Sequence, residues 1–196
     1  MNESASHRKL LRIALLGVLA ALTFAGNYAR IILPISVGGN TAFTLGNVMC
    51  VLDGLLLGPV GGLAAGIGAA LYDMTNPLYI NEVPFTFLNK LVMGLLAGLI
   101  ARGLRRREDG RAPASYPRYL LAAAAGCAGY YVLYFLKSYF YNGLLLQALP
   151  GNLAWVAVLE KIPASVFNAA IAVIAAPPLA AAIRAALKKS NLSILD

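Results

Sequence analysis

The feature that most constrains this chain is a series of apolar runs that are long enough, or nearly long enough, to cross a membrane. A transmembrane helix needs about 20 predominantly apolar residues. Residues 10–33 meet this requirement with one internal cation, Arg30. The run is too long for the apolar core of a signal peptide, which covers roughly 7–15 residues. We therefore expect residues 10–33 to form an uncleaved first span.

Proline divides the second apolar stretch, which covers residues 44–73 and contains Gly58-Pro59. Because proline ends or kinks a helix, two short helices joined by a tight turn explain this stretch better than one long helix. The Pro177-Pro178 pair in the last run predicts either a kink or a helix end followed by an amphipathic stretch at the membrane surface.

Together the apolar runs predict an all-α integral membrane protein with six transmembrane helices. The expected spans are residues 10–33, 44–57, 60–73, 84–102, 119–142 and 155–187 of a single transmembrane domain, residues 1–196. The composition agrees, because the chain is 60% hydrophobic and 12% charged. Soluble domains are roughly 45–50% apolar and about 25% charged. An ordinary soluble enzyme and a disordered chain are therefore excluded.

Most positive charges lie in three segments that six spans would place on one side of the membrane. Twelve of the 16 Lys and Arg residues are in these segments: Arg8, Lys9, Arg12, Arg102, Arg105, Arg106, Arg107, Arg111, Arg118, Arg184, Lys188 and Lys189. The positive-inside rule makes that side cytoplasmic, which predicts both termini inside. The net charge of +8 therefore reflects topology and requires no nucleic-acid partner.

The remaining polar residues of the spans are concentrated toward the outward side, whereas the inner halves are almost purely aliphatic and small. The outward polar set is Arg30, Lys90, Lys137, Lys161, Asp73, Glu82, Glu160, Asn40, Asn47, Asn76, Asn81, Asn89, Asn142, Gln147, Asn152 and Trp155. Ionisable residues inside spans are costly and usually face a cavity or each other. Snorkelling or structural ion pairs explain single residues, but the whole set favours an outward-facing ligand pocket. Its cations slightly favour a ligand with a carboxylate, unless they are salt-bridged.

Small residues recur every four positions in three of the predicted spans, which lets helix backbones approach closely. The rows are Gly17, Ala21 and Ala25 in the first span, Gly58, Gly62, Gly66 and Ala70 in the third, and Gly94 and Gly98 in the fourth. In spans three and four we interpret them as packing inside the bundle. The row on the first helix could instead face a membrane partner.

The chain lacks the side chains that common membrane enzymes need. Its single histidine, His7, lies in the N-terminal tail, so a zinc site or a Ser-His hydrolase inside the bundle is not expected. There is no Walker A sequence, so we expect no ATP hydrolysis by this chain, and no cofactor or metal. Cys50 and Cys127 are isolated in predicted spans and are expected to be core residues rather than a disulfide.

Several sequence stretches resemble the substrate-capture subunits, or S components, of energy-coupling-factor (ECF) transporters. They are Thr44-Leu45-Gly46-Asn47, the run LLLGPVGGLAAGIG at residues 55–68, Leu71-Tyr72-Asp73, and residues 84–98 with Asn89-Lys90 before Gly94. The resemblance covers nearly the whole chain. Because these motifs consist mostly of Gly, Pro and Leu, they identify the family better than the substrate.

This resemblance implies a multi-pass protein of the prokaryotic plasma membrane that captures a vitamin-like small molecule from outside. S components dock on a module made of a transmembrane coupling protein and two ATPase subunits. The small-residue row of the first helix is the family's docking face, which maps onto Gly17, Ala21 and Ala25 of this chain. ATP hydrolysis would then belong to the partner subunits.

The resemblance also implies a substrate site built from the loop after the first helix and from helices four to six. The candidate ligand residues are Arg30, Asn40, Asn47, Asn89, Lys90, Tyr139, Asn142, Trp155, Lys161 and Asn168, with Asn81 and Glu82 as a candidate gating loop. Lys161 and Asn168 are seven apart and therefore share a helical face. Trp155 could stack on a planar ligand or anchor the chain at the membrane interface.

Two other functions compete with substrate capture. A stand-alone permease or channel should have polar residues along a path to the inner side, and these are scarce. A structural membrane protein without a ligand would make the outward polar set incidental. The sequence does not choose among vitamins, vitamin precursors and modified-base precursors as the substrate.

Overall fold

The computed structural model describes residues 3–36, 40–107 and 116–189. Its elements are α1 (Glu3–Tyr28), β1 (Arg30–Pro34), β2 (Asn40–Thr44), α2 (Gly46–Leu57), α3 (Gly61–Thr75), α4 (Val83–Arg107), α5 (Tyr116–Lys137) and α6 (Gly151–Lys189). Short 3₁₀ turns precede α3 and α4, and a nine-residue π-helix, Ser138–Leu146, follows α5. Arg111, one of the cations used to predict topology, lies outside the described residues.

The Gly58-Pro59 break separates two helices, α2 and α3, that run in opposite directions. Alongside α4, α2 runs from Asn47, which is hydrogen-bonded to Lys90, to Gly58, which lies against Gly98. The α3 helix then returns toward the start of α4. Gly58 adopts a positive φ of 68°, a conformation that glycine reaches without the steric cost of a side chain.

Five helical segments in the described part of the chain are long and apolar enough to cross a membrane. The number is five because α2, its turn and α3 form one 30-residue segment, Gly46–Thr75. The bundle is thus that of an all-α membrane protein. Six crossings with both termini inside stay a prediction.

The first helix ends at Tyr28, five residues before the limit of 33 expected from hydropathy. The apolar run continues, but Arg30–Pro34 pairs antiparallel with Asn40–Thr44, so that Ile31 lies opposite Phe43. β-Branched Ile31 and Ile32 suit a strand, and Pro34 would not continue a helix. Hydropathy alone does not separate the end of an apolar helix from an apolar strand. We refer to the end of the bundle that carries this hairpin as the hairpin end.

Glycines hold α3 and α4 close together. A Cβ added at Gly62 would lie 2.6 Å from the Leu91 carbonyl oxygen, and one at Gly66 would lie 2.9 Å from the Phe87 carbonyl oxygen. Such distances leave no room for a side chain, which confirms that these rows serve packing inside the bundle. Cys50 and Cys127 are buried and free, as expected of core residues.

The last helix continues through its prolines. Pro163, Pro177 and Pro178 all lie inside α6, which ends only at Lys189. Near that end, Arg184 donates hydrogen bonds to the carbonyl oxygens of Leu55 (2.8 Å) and Leu56 (3.1 Å) in the last turn of α2. A cation at this position satisfies carbonyls that have no partner within the helix. This contact joins α6 to α2 at the end of the bundle opposite the hairpin.

Candidate functional site

A cavity of about 300 Å³ lies at the hairpin end, lined by residues of both hairpin strands, the π-helix and helices α1 to α6. It is lined by 24 residues, most of them polar or aromatic. Eight of the ten candidate ligand residues line it: Arg30, Asn40, Asn47, Asn89, Lys90, Asn142, Lys161 and Asn168. Residues that lie far apart along the chain are therefore brought together in one chamber.

Two candidate residues lie elsewhere. The ring of Trp155 packs against that of Tyr139 with centroids 4.8 Å apart, and Trp155 is 56% exposed. Neither lines the cavity. The π-helix explains the placement of Tyr139, because its wider turn directs Lys137 and Asn142 to the cavity and Tyr139 to another face.

Glu82, the last residue of the 3₁₀ turn before α4, is tied to the π-helical region. Its carboxylate accepts hydrogen bonds from Lys137 Nζ (2.5 Å) and Asn142 Nδ2 (2.8 Å). Glu82 lines the cavity, whereas Asn81 does not. The Asn81 carbonyl instead accepts a hydrogen bond from the Tyr141 hydroxyl at 3.3 Å. The connection between α3 and α4 is thus fastened to the segment after α5 beside the cavity.

Arg30, at the start of β1, is fixed by Asn27 and by two aromatic rings. It donates to the Asn27 carbonyl from Nε (2.8 Å) and to Asn27 Oδ1 from Nη2 (3.0 Å). Its guanidinium carbon lies 4.0 Å from the ring centroid of Tyr72 and 5.1 Å from that of Tyr79, as in cation–π contacts. Burial raises the pKa of the Tyr79 hydroxyl, and the Arg30 charge opposes that rise. Tyr79 is therefore a neutral hydroxyl at physiological pH.

Asn47 connects three helices at the base of the cavity. Its Oδ1 accepts a hydrogen bond from Lys90 Nζ of α4, and its Nδ2 donates to the Tyr131 hydroxyl of α5 at 3.1 Å. The Lys90 ammonium also lies 4.0 Å from the ring centroid of Tyr130. Asn47 is only 1% exposed, so these contacts replace the hydrogen bonds that water would otherwise supply.

The two candidate residues of α6 have different partners. Lys161 Nζ donates to Ser138 Oγ at 2.7 Å. Asn168 Oδ1 accepts from the backbone N–H of Thr44 (2.9 Å), and its Nδ2 donates to the Ala42 carbonyl (2.7 Å). Both residues line the cavity, as their spacing predicts. Asn168 in addition fastens β2 of the hairpin to α6.

Sequence reasoning missed an aromatic wall on α5, formed by Tyr130, Tyr131 and Tyr134. The rings of Tyr130 and Tyr134 are stacked, with centroids 5.7 Å apart. Their spacing of four residues on an outward half-helix was the signal that could have found them. Asn27, Thr41, Thr86 and Ser165 line the cavity as well, and they were not distinguishable from ordinary polar residues of a span.

The small-residue row of α1 lies on the opposite face from the core. Gly17, Ala21 and Ala25 are exposed, whereas Leu19 and Thr23 of the same helix are buried. A Cβ added at Gly17 would meet no atom within 4 Å. This row is therefore not used for packing within the described part of the chain, unlike the glycines of α3 and α4.

A bundle of apolar helices with a polar chamber at one end defines a membrane protein that binds a small molecule. A family model described as "ECF-type riboflavin transporter, S component" matches residues 8–185. The chain belongs to this family, which confirms the resemblance seen in the sequence. It is therefore a vitamin-binding, multi-pass membrane subunit of an ECF transporter, and members of the family are transport subunits rather than enzymes. A comparison with curated proteins returns no match.

Proposed function

We propose that the chain captures riboflavin, or a closely related flavin, in the cavity at the hairpin end. The observation that carries this proposal is the presence of an aromatic wall together with amide and hydroxyl groups in one cavity. The flavin ring is flat and carries carbonyl oxygens and ring nitrogens along one edge. Tyr130 and Tyr134 supply flat faces for such a ring. Asn89 and Thr86 supply donors and acceptors for its edge.

The size and burial of the cavity support a small-molecule ligand. Its volume of about 300 Å³ is near the lower limit for ligand sites, which occupy roughly 300–1,000 Å³. Asn89 is 6% exposed and forms no hydrogen bond to any of the described residues. Because buried amides are normally satisfied, a ligand is a natural partner for this one.

The arrangement of charges supports an outward-facing cavity and six crossings. Exposed cations at the far ends of α4 and α6, such as Arg102 and Lys188, lie at the end of the bundle opposite the cavity. The positive-inside rule assigns that end to the cytoplasm. Both termini are then inside, and the hairpin faces the exterior of a prokaryotic cell.

To move the captured ligand across the membrane, the chain needs partner proteins. The exposed row of Gly17, Ala21 and Ala25 docks on a transmembrane coupling protein, because small residues allow close backbone contact between membrane helices. Two ATPase subunits of the same module hydrolyse ATP. The capture subunit itself contributes the ligand site and the docking face.

Titration of the detergent-solubilised protein into riboflavin tests the proposed substrate, since binding against tyrosines quenches flavin fluorescence. We expect saturable binding of one riboflavin per chain, together with a higher melting temperature in the presence of the ligand. A folded protein that neither quenches flavin fluorescence nor gains thermal stability would refute riboflavin as the substrate.

Uptake by vesicles separates a capture subunit from a stand-alone permease. A capture subunit takes up flavin only when the coupling protein, both ATPases and ATP are present. Uptake by the chain alone in vesicles would favour the permease.

A further inference from the structure

One buried carboxyl group of the bundle takes no part in the proposed ligand capture. Asp53 of α2 is 0% exposed and is not part of the cavity lining. Its Oδ2 accepts a hydrogen bond from the hydroxyl of Thr23 on α1 at 2.7 Å, and Thr23 is likewise 0% exposed. Its Oδ1 is buried and has no hydrogen-bond partner among the described residues. The two side chains thus form a polar contact between α1 and α2 inside an apolar core.

No described lysine or arginine forms an ion pair with this carboxyl group. Two cations from neighbouring helices do bind to α2, Lys90 of α4 and Arg184 of α6. Lys90 donates to a side-chain amide, and Arg184 donates to main-chain carbonyl oxygens. Cys50 of α2 and Cys127 of α5 add only buried, free thiols. A negative charge at Asp53 would therefore have no counter-ion among these residues.

Close packing also keeps water away from Asp53. Its 0% exposure means that no space as large as a water molecule adjoins the side chain. Nearby, α3 lies directly against α1, since a Cβ added at Gly68 would lie 2.8 Å from the Thr23 Cβ. The next residue of α2, Gly54, lies against α4, where an added Cβ would lie 3.0 Å from the Gly94 carbonyl carbon. A carboxylate with neither water nor a cation is very costly inside a membrane protein, whereas a neutral carboxyl group costs far less.

We propose that Asp53 is a proton-binding site and that its neutral, protonated carboxyl group joins α2 to α1. Oδ2 is then the carbonyl oxygen that accepts from Thr23, and the proton is on Oδ1, the oxygen without a partner. The contact holds α1 against the bundle without placing a charge in the membrane. Because α1 also carries the exposed row that begins with Gly17, Asp53 positions the helix of the proposed docking face. This assignment depends on neither the ligand nor the docking partner.

Infrared spectra of the purified, ligand-free full chain test for the proton directly, because a protonated carboxyl group has a C=O stretch distinct from that of a carboxylate. At neutral pH we expect a band in the wild type that Asp53→Asn removes. Thr23→Val should keep this band but move it to higher frequency, because the carbonyl oxygen loses its hydrogen-bond donor. Glu160→Gln removes a partly exposed acid and is the control, which should leave the band unchanged. If folded Asp53→Asn lost no such band, Asp53 would be ionised and the proposal would be wrong.

A second measurement does not depend on recovering folded Asp53→Asn. Melting temperatures are compared for Asp53→Ala, Thr23→Val and the double variant. Because both single substitutions break the same hydrogen bond, Asp53→Ala should lower the melting temperature less in the Thr23→Val background than in the wild type. Glu160→Ala is the control and should have the same effect in both backgrounds.

Each outcome bears on the contact itself. Equal losses for Asp53→Ala in the two backgrounds would show that Asp53 and Thr23 act independently, which would overturn the link between α1 and α2. An infrared band that does not move in Thr23→Val would count against Asp53 as its source. Neither measurement contains a flavin, so failure of this proposal leaves the proposed substrate untouched, and failure of riboflavin binding leaves the proton site standing.

Discussion

At the scale of single residues, the cavity is a set of side chains that hold one another in place. Asn47 is the clearest case, because both ends of its amide are used, one by Lys90 and one by Tyr131. Asn89 lies in the same cavity and is similarly buried, but its amide forms no hydrogen bond to the described residues. The first amide therefore maintains the site, and the second is available to a ligand.

Replacing the two amides separately tests this difference. Asn47→Ala leaves the Lys90 ammonium and the Tyr131 hydroxyl without their partner in a buried site, and we expect it to lower the free energy of unfolding by about 1–3 kcal/mol. Asn89→Ala removes an amide of the same size and should cost clearly less stability. Thermal unfolding of the ligand-free variants measures both effects. Equal destabilisation by the two substitutions would contradict the role given to Asn47.

At the scale of helices, similar rows of small residues have two different uses. In α3, Gly62 and Gly66 meet the backbone of α4, whereas in α1 the row that begins with Gly17 faces away from the bundle. The sequence pattern is the same in both cases. Only the position of each row relative to its neighbours decides whether it packs within the chain or remains exposed.

Alanine substitutions at two glycines distinguish these uses. Gly62→Ala places a Cβ 2.6 Å from the Leu91 carbonyl oxygen, so α3 and α4 must move apart, and we expect a loss of about 1–3 kcal/mol in stability. Gly17→Ala meets no neighbouring atom and gains up to about 1 kcal/mol from the higher helix propensity of alanine. Melting temperatures of the isolated protein should therefore shift in opposite directions. A marked loss of stability in Gly17→Ala would show that this face is packed.

Elements that depend on apolar length and on proline could be predicted from the sequence, and elements set by contacts could not. Hydropathy located the six α-helices of the described part of the chain, and Gly58-Pro59 indicated the turn between α2 and α3. The hairpin was missed because Ile31 and Ile32 continue the apolar run of the first helix. The π-helix has no local signature, so Tyr139 was assigned to the cavity although the wider turn directs it elsewhere. Eight candidate residues line the cavity. They could be selected from the sequence because polar residues in or beside an apolar span usually face a cavity or each other.

At the scale of the whole molecule, the cavity, the exposed cations and the small-residue row of α1 lie on three separate parts of the bundle. The cavity lies at the hairpin end, and exposed cations such as Lys188 lie at the opposite end. The small-residue row of α1 lies along the side of the bundle and is not part of the cavity lining. Thr23 and Asn27 are buried on the other face of α1, and Asn27 lines the cavity, so the proposed docking row and the cavity use different faces of this helix. Docking and ligand capture should therefore be separable by substitution.

Bulky substitutions on α1 test this separation. Ala21→Leu combined with Ala25→Leu would hold a partner helix away from α1, since close approach needs small residues on both sides. We expect the variant to lose co-purification with the coupling protein and ATPases, and to lose ATP-dependent uptake, while retaining the ligand affinity of the wild type. Ala124→Leu provides the matched control, because Ala124 is an exposed alanine on α5. If the α1 variant still assembled and transported normally, another surface would have to be the docking face. If it lost ligand affinity as well, α1 would couple the two sites rather than keep them separate.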